Sequence, residues 1–146
     1  MKTKIIILAA GKGTRMGSDL PKALVQLDGR PMIIHLIESV VASNIDDLPI
    51  VVVSPDNREI ISKALAEYNC DYVIQEQPLG SGHAVACARQ KIPANTDNVI
   101  VLYCDHPFIT AKSIKNFGEF ITDAVTIMPT ELGDYDDWHQ IFFHWG

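Results

Sequence analysis

The chain contains 146 residues with a formal net charge of −6, and 47% of its residues are hydrophobic. This length suits one domain with a buried core. The acidic balance argues against a general nucleic-acid-binding surface, and no apolar run is long enough to span a membrane. The cysteines Cys70, Cys87 and Cys104 are widely spaced and form no CxxC pair. A zinc site is therefore not expected, and a reducing, cytoplasmic location is favoured.

In chain order, short apolar runs alternate with segments of helical periodicity. The apolar runs predict strands over residues 4–9, 49–53, 71–75, 98–103 and 124–128. The segments between them predict helices from Pro31 to about Ser43, from Asp56 to Tyr68, from Gly82 through Ala88 and ending before Pro93, and from about Ala111 to Thr122. Asp56 and Glu59 form a capping-box pattern at the start of the second helix, which has Ile60, Ile61 and Leu65 on one face.

This alternation predicts an α/β protein with a Rossmann-like, doubly wound and mainly parallel sheet. If the strand order is 3-2-1-4, the direction of the order reverses between the first and fourth strands. Doubly wound sheets bind ligands at such a reversal, beyond the carboxyl ends of the strands. We expect residues 1–146 to form a single domain. The aromatic run Gln140–Trp145 stops the chain in or beside a further strand, so we expect this domain to be incomplete at its C-terminus.

A glycine-rich stretch, Leu8–Met16, follows the first strand and is closed by Pro21 and Lys22. Glycines allow backbone N–H groups to approach phosphate oxygens closely, and Lys12, Arg15 and Lys22 supply positive charge. A tight turn with solvated cations is the alternative. Two other phosphate motifs fail on residue identity: Met16 stands at the third glycine of a dinucleotide fingerprint, and Ile6 stands at the first glycine of a Walker A loop.

Polar residues also follow the third and fourth strands. Asp105 is a hard oxygen ligand suited to the Mg²⁺ of a nucleotide, with a turn or capping acid as the alternative. Gln75 carries an amide able to hydrogen-bond a nucleobase edge, and Gly80 and Ser81 offer backbone contacts to base or ribose. Ordinary loop residues are the alternative for these three positions.

Together these strings resemble the sugar-phosphate nucleotidyltransferases, also called nucleoside-diphosphate-sugar pyrophosphorylases. Within them the chain looks closest to the N-acetylglucosamine-1-phosphate uridylyltransferase domain. The segments that carry the resemblance are Leu8–Met16, Ser18–Lys22, Gly29–His35, Leu79–Ala84 and Leu102–Pro107. The resemblance implies the nucleotide-diphospho-sugar transferase fold, with its C-terminal part missing.

The resemblance also implies roles for individual residues. Arg15, Lys22 and Lys12 would act on the reacting phosphates, and Asp105 would hold Mg²⁺. Gly146 would match a sugar-binding segment. The nucleotide would contact Leu8, Ala9, Ala10, Gly11, Gly13, Thr14, Gln75, Gly80, Ser81 and Tyr103.

The implied reaction joins a nucleoside triphosphate, UTP by resemblance, to a sugar-1-phosphate and releases pyrophosphate. A homo-oligomer is compatible with this assignment. Pro78 stands where that branch commonly has a base-reading glutamine, which leaves the base open. Two alternatives follow: a cytidylyl- or guanylyltransferase with a non-sugar acceptor, and a truncated domain that binds nucleotide without turnover or mediates assembly.

Overall fold

The computed structural model describes residues 1–11, 20–121 and 125–126. Its strands are β1 (Thr3–Leu8), β2 (Gln26–Leu27), β3 (Arg30–Pro31), β4 (Ile50–Val53), β5 (Asp71–Ile74) and β6 (Asn98–Tyr103). Its α-helices are α1 (Met32–Ser43), α2 (Arg58–Ala64), α3 (Ser81–Ala88) and α4 (Ala111–Glu119). Short 3-10 helices cover Lys22–Leu24 and Arg89–Lys91. Within these described ranges, no helix is long and apolar enough to cross a membrane.

The four long strands form one parallel sheet in the order β5-β4-β1-β6. In sequence order this is 3-2-1-4, which confirms the predicted Rossmann-like, doubly wound architecture. Strand β1 is buried along its whole length, as its continuous apolar run predicts for an inner parallel strand. The strand order reverses between β1 and β6, so the crevice of the fold opens beside the carboxyl end of β1.

Alternate residues of β1 face two separate layers of core, because successive side chains of a strand point to opposite faces. Ile5 and Ile7 pack with the buried residues of α1, α2 and α4 on one face of the sheet. Ile6 and Leu8 pack on the other face with Ala84 of α3. Helices therefore cover both faces of the sheet, with α3 alone on the second face among the described helices.

A buried ion pair fixes the amino end of β1. The Lys4 ammonium lies 2.8 Å from the Asp46 carboxylate, and both side chains are nearly inaccessible to solvent. Oδ1 of Asp46 also accepts the Leu48 N–H at 3.2 Å, while Oδ2 accepts the Ile5 N–H at 2.8 Å. This network ties the connection between α1 and β4 to the strand that leads into the crevice.

The predicted start of the second helix was wrong. Helix α2 begins at Arg58 with Asn57 at its N-cap position, and the Asn57 side chain makes no capping hydrogen bond. The Asn57 amide is instead used in two other bonds. Its Oδ1 accepts the nearby Ser54 N–H at 2.9 Å, and its Nδ2 donates to the distant Ala9 carbonyl at 2.9 Å. Ile60 is 42% exposed, so it does not share the buried face of Ile61.

One element of the structure was not predicted, and one predicted strand lies largely outside the described residues. The long connection after β1 contains the 3-10 helix Lys22–Leu24 and an antiparallel hairpin of β2 and β3, which the sequence analysis did not predict. Asp28 and Gly29 both have positive φ at its two-residue turn, as a type I′ turn requires. The strand predicted over residues 124–128 lies largely outside the described residues, and residues 125 and 126 are not in a strand.

Candidate active site

A cleft of about 320 Å³ opens at the carboxyl ends of the parallel strands, beside the amino end of α3. It occupies the place where the strand order reverses, as ligand sites in doubly wound sheets do. Its lining residues come from five separate parts of the chain: Leu8, Ala10, Gly11, Lys22, Gln75, Pro78, Gly80, Ser81, Ala84, Tyr103, Cys104 and Asp105. Most of the described residues predicted to bind nucleotide or metal are therefore brought together here.

The floor of the cleft continues the pairing of β1 with its two neighbours, β6 and β4. The Cys104 N–H donates to the Leu8 carbonyl at 3.2 Å, and the Ala9 N–H donates to the Val52 carbonyl at 2.8 Å. Ala9 is buried in the core on the α1 side of the sheet, so the structure does not bring it into the cleft. Ala10, the next residue, lines the cleft, because side chains alternate along this extended segment.

Lys22 and Asp105 form an ion pair at the mouth of the cleft. The Lys22 ammonium donates to Asp105 Oδ2 at 2.5 Å, and the two side chains are 37% and 29% exposed. Burial acts to raise the pKa of the Asp105 carboxyl, but the hydrogen bond and charge of Lys22 outweigh it and lower the pKa below its usual range. The carboxylate is therefore charged at neutral pH, as a cation ligand must be.

Local backbone hydrogen bonds hold Lys22 and Asp105 in position. Asp105 lies in the turn that follows β6, where the His106 N–H donates to the Tyr103 carbonyl at 3.1 Å. Lys22 begins a 3-10 helix in which the Leu24 N–H donates to the Pro21 carbonyl at 2.8 Å. Two cleft residues separated by 83 positions thus meet through turns at the ends of unrelated elements.

Gln75 lies at the far side of the cleft and is only 6% exposed. Its N–H donates to the Val53 carbonyl at 2.8 Å and so extends the β4–β5 ladder by one residue. Its side-chain Nε2 donates to the Gly80 carbonyl at 3.1 Å and lies 3.0 Å from Nδ1 of His83. Gly80 has φ of +96°, a conformation that favours glycine, and it places Ser81 at the start of α3.

The sequence analysis did not predict three of the lining residues, Pro78, Ala84 and Cys104, as contacts. Ala84 falls within the resembling segment Leu79–Ala84 and Cys104 within Leu102–Pro107, which is the signal that points to them, whereas Pro78 lies one residue before the first of these segments. Burial, reinforced by the neighbouring Asp105, raises the pKa of the Cys104 thiol to about 12. This thiol is therefore neutral at physiological pH and lines the cleft as a small apolar group.

Tyr103 forms part of the rim of the cleft. Its side chain is 42% exposed, and its ring centroid lies 5.5 Å from that of His106 at an angle of 47°. Such a tilted contact holds both rings beside the mouth of the cleft. The arrangement offers an aromatic surface to a bound ligand.

The donor set of the cleft fits one nucleotide-borne divalent cation. Asp105 is a carboxylate on the cleft surface, and Mg²⁺ is commonly held by one or two carboxylates, with phosphate oxygens and water completing its shell. Over residues 1–11, 20–121 and 125–126, no group of three or more His, Cys, Asp or Glu side chains could hold a metal. A self-sufficient protein cage is thus absent from the described part of the chain.

Five predicted site residues lie outside the described residues: Lys12, Gly13, Thr14, Arg15 and Gly146. Their roles rest on the sequence alone. Gly11, the last described residue before the first gap, lines the cleft.

Comparison with known proteins adds to this geometry. The family described as MobA-like NTP transferase domain matches residues 5–146. The bifunctional protein GlmU of Desulfotalea psychrophila is 39% identical over 140 residues, which cover 94% of this chain and 41% of that protein. The chain therefore spans less than half the length of this relative.

Two solved structures have a similar fold. Rv0371c of Mycobacterium tuberculosis, in complex with manganese, superposes with a TM-score of 0.67 at 15% identity, covering 82% of this chain and 59% of that one. The 4-diphosphocytidyl-2C-methyl-D-erythritol synthase of Anaerococcus prevotii superposes with a TM-score of 0.66 at 20% identity, covering 87% of this chain and 59% of that one. At these identities the likeness concerns the fold.

Proposed function

The chain belongs to the family of MobA-like NTP transferase domains, and we propose that it transfers a nucleotidyl group from a nucleoside triphosphate to a sugar-1-phosphate with release of pyrophosphate. The triphosphate is UTP and the acceptor is N-acetylglucosamine-1-phosphate. These two choices are supported by the resemblance of Leu8–Met16 and Leu79–Ala84 to the uridylyltransferase branch. The free thiols of Cys70, Cys87 and Cys104 suit the cytoplasm as the place of this reaction.

The observation that carries the proposal is the convergence of the predicted residues on one cleft. Gly11, Gln75, Gly80 and Asp105 come from separate segments of the chain, and all of them line it. The cleft offers separate contacts for the base, the phosphates and a cation. These are the exposed backbone of the glycines, a side-chain amide, and a carboxylate beside a lysine. This is the set of contacts that a metal-bound nucleoside triphosphate needs.

In the proposed reaction, an oxygen of the sugar-1-phosphate attacks the α-phosphorus of the triphosphate in line. The new P–O bond forms as the bond to the β-phosphate oxygen breaks, and pyrophosphate leaves with that oxygen. No covalent enzyme intermediate is formed. The protein contributes positioning and charge neutralisation, as in phosphoryl transfer generally.

The positive charge comes from Lys22 in the cleft and, by sequence, from Lys12 and Arg15. Asp105 would hold Mg²⁺, which when bound neutralises phosphate charge. Because the Lys22 ammonium is paired with Oδ2 of Asp105, it competes with a cation for the carboxylate. The triphosphate provides a new partner for the released ammonium, so we expect nucleotide and metal to favour each other's binding.

A second function keeps the reaction class and changes the base or acceptor. Pro78 lines the cleft at the position where the uridylyltransferase branch commonly has a base-reading glutamine, and proline has no side-chain hydrogen-bonding group. This observation supports a cytidylyl- or guanylyltransferase with a non-sugar acceptor as the second candidate. Pyrophosphate release measured with each triphosphate and with N-acetylglucosamine-1-phosphate or an alcohol phosphate distinguishes the two functions.

The proposal is tested by measuring pyrophosphate release from UTP and N-acetylglucosamine-1-phosphate with Mg²⁺. Arg15→Ala and Asp105→Asn are expected to reduce kcat by roughly 10²- to 10³-fold each, the usual effect of removing one charge-stabilising group. Arg58→Ala and Asp47→Asn make the same chemical changes at exposed positions away from the cleft and should leave kcat unchanged. Release that survives both cleft substitutions contradicts the assigned roles, and nucleotide binding without release supports a non-catalytic domain.

A further inference from the structure

The side-chain amide of Gln75 is held by two fixed partners. Nε2 lies 3.1 Å from the Gly80 carbonyl and 3.0 Å from Nδ1 of His83. Gln75 is nearly buried yet lines the cleft. Its orientation therefore decides which hydrogen-bonding atom of the amide remains for a ligand.

The two partners determine that orientation. A backbone carbonyl can only accept a hydrogen bond, so the nitrogen of the amide must face Gly80. The second amide proton then points to Nδ1 of His83, which has to accept it and must therefore carry no proton. The ring proton of neutral His83 consequently lies on Nε2, 3.8 Å from the Sγ of Cys87 one turn further along α3.

Both amide protons of Gln75 are used by these two bonds, and the group that remains for a ligand is the carbonyl oxygen Oε1, a pure acceptor. We propose that His83 is a positioning residue for base selection, because it engages the second amide proton of Gln75, which the Gly80 carbonyl already orients, so that only an acceptor meets the base. Uracil presents an N–H at its ring position N3, whereas cytosine presents a lone pair there. The inference rests on the proposed function and makes the cleft selective for uridine over cytidine nucleotides.

A merely structural role for His83 has a different consequence. If the ring only packed α3 against the sheet, its loss would weaken the binding of every nucleotide by the same factor. A role through Gln75 changes the ratio of two affinities, because an amide that loses its second partner has an unpaired N–H, and a free donor near the base no longer disfavours the lone pair of cytosine N3. The ratio of UTP to CTP affinity is therefore the informative quantity.

The test is isothermal titration of UTP and of CTP, each with Mg²⁺, into the wild-type chain and variants. The wild type should bind UTP more tightly. His83→Phe keeps a ring of similar size without an acceptor, and it should lower the UTP-to-CTP affinity ratio by about tenfold, as expected when a buried donor loses its partner. His83→Asn carries a side-chain oxygen that can accept, and it should recover much of the ratio.

His35→Phe is the matched control, because Nε2 of His35 donates to the Leu27 carbonyl at 2.9 Å and neither residue lines the cleft. It should leave the ratio unchanged. If His83→Phe does not fold, His83→Ala gives the same comparison. A ratio unchanged by loss of the His83 ring overturns the inference alone. A wild type that prefers CTP overturns both the inference and the choice of UTP in the proposed function, and a wild type that binds neither nucleotide overturns the proposed function.

Discussion

Substitution of Asp46 by asparagine should strongly destabilise the fold. Oδ1 of Asp46 accepts from the Lys4 ammonium and the Leu48 N–H, while Oδ2 accepts from the Ile5 N–H. Asparagine has one acceptor oxygen, so its NH₂ group must face a donor on one side. The Lys4 ammonium would also remain buried without a counter-charge, with the Leu48 carbonyl as its remaining polar contact at 3.0 Å.

The expected loss is about 3 to 5 kcal/mol, the usual cost of breaking a buried ion pair by removing one partner. This is a large part of the roughly 5 to 15 kcal/mol by which a domain is stable. Equilibrium urea unfolding followed by circular dichroism measures it directly. Asp47→Asn is the matched control, because it makes the same change at the adjacent, exposed residue and should alter stability by less than about 0.5 kcal/mol.

A loss for Asp46→Asn no larger than that of its neighbour would refute this reasoning. A second comparison uses the double variant Lys4→Met with Asp46→Leu. Replacing both members with apolar groups removes the uncompensated charge, so the double variant should be more stable than Asp46→Asn. The opposite order would show that the bonds of Asp46 to the backbone, and not the charge of Lys4, dominate.

Three further outcomes are expected. Lys22→Met should tighten Mn²⁺ binding to the nucleotide-free chain several-fold, measured by electron paramagnetic resonance, because Asp105 loses its competing ammonium; unchanged affinity would contradict this. Gly80→Ala should lower the free energy of unfolding by about 1 to 3 kcal/mol, because alanine is strained at the positive φ of this position. Gly82 lies in a helix and has as much open space around it as Gly80, so Gly82→Ala should raise the free energy of unfolding by up to about 1 kcal/mol. Urea unfolding measures both. Burial raises the pKa of the Cys104 thiol to about 12 from its ordinary 9.0, so the unfolded chain loses this proton at a lower pH than the folded chain. The free energy of unfolding should therefore fall between pH 9 and 12, and it should fall less steeply in Cys104→Ala.

The parallel sheet could be predicted from sequence because its signal is local. Buried parallel strands are continuous apolar runs, and β6 covers the same residues, Asn98–Tyr103, that the pattern indicates. The order of these strands had to be assumed, since doubly wound sheets adopt more than one order, and the facing positions of Gly11 and Asp105 follow once it is 3-2-1-4. The hairpin before α1 also had a local signal, the Asp28-Gly29 pair typical of a two-residue turn.

The long-range contacts that organise the fold and the cleft could not be predicted in the same way. The bonds of Asn57 to Ala9 and of Lys4 to Asp46 join residues separated by more than forty positions, and no periodicity marks them. The capping-box pattern at Asp56 competed with the longer-range bonds of Asn57, which satisfy buried backbone groups. The orientation of Gln75 depends in turn on the positive φ of Gly80 and on the rotation of His83, neither of which a sequence motif specifies.

The most direct test of the central claim is the thermal stability of the chain with each of the four nucleoside triphosphates and Mg²⁺. Ligand at about one hundred times its dissociation constant stabilises the native state by roughly 2.7 kcal/mol, which corresponds to a rise of several degrees in Tm. We predict this rise with UTP, a smaller one with Lys22→Met, and no such reduction with Lys63→Met, an exposed lysine on α2. No rise with any triphosphate, or a rise that Lys22→Met does not reduce, would contradict a nucleotide site in this cleft.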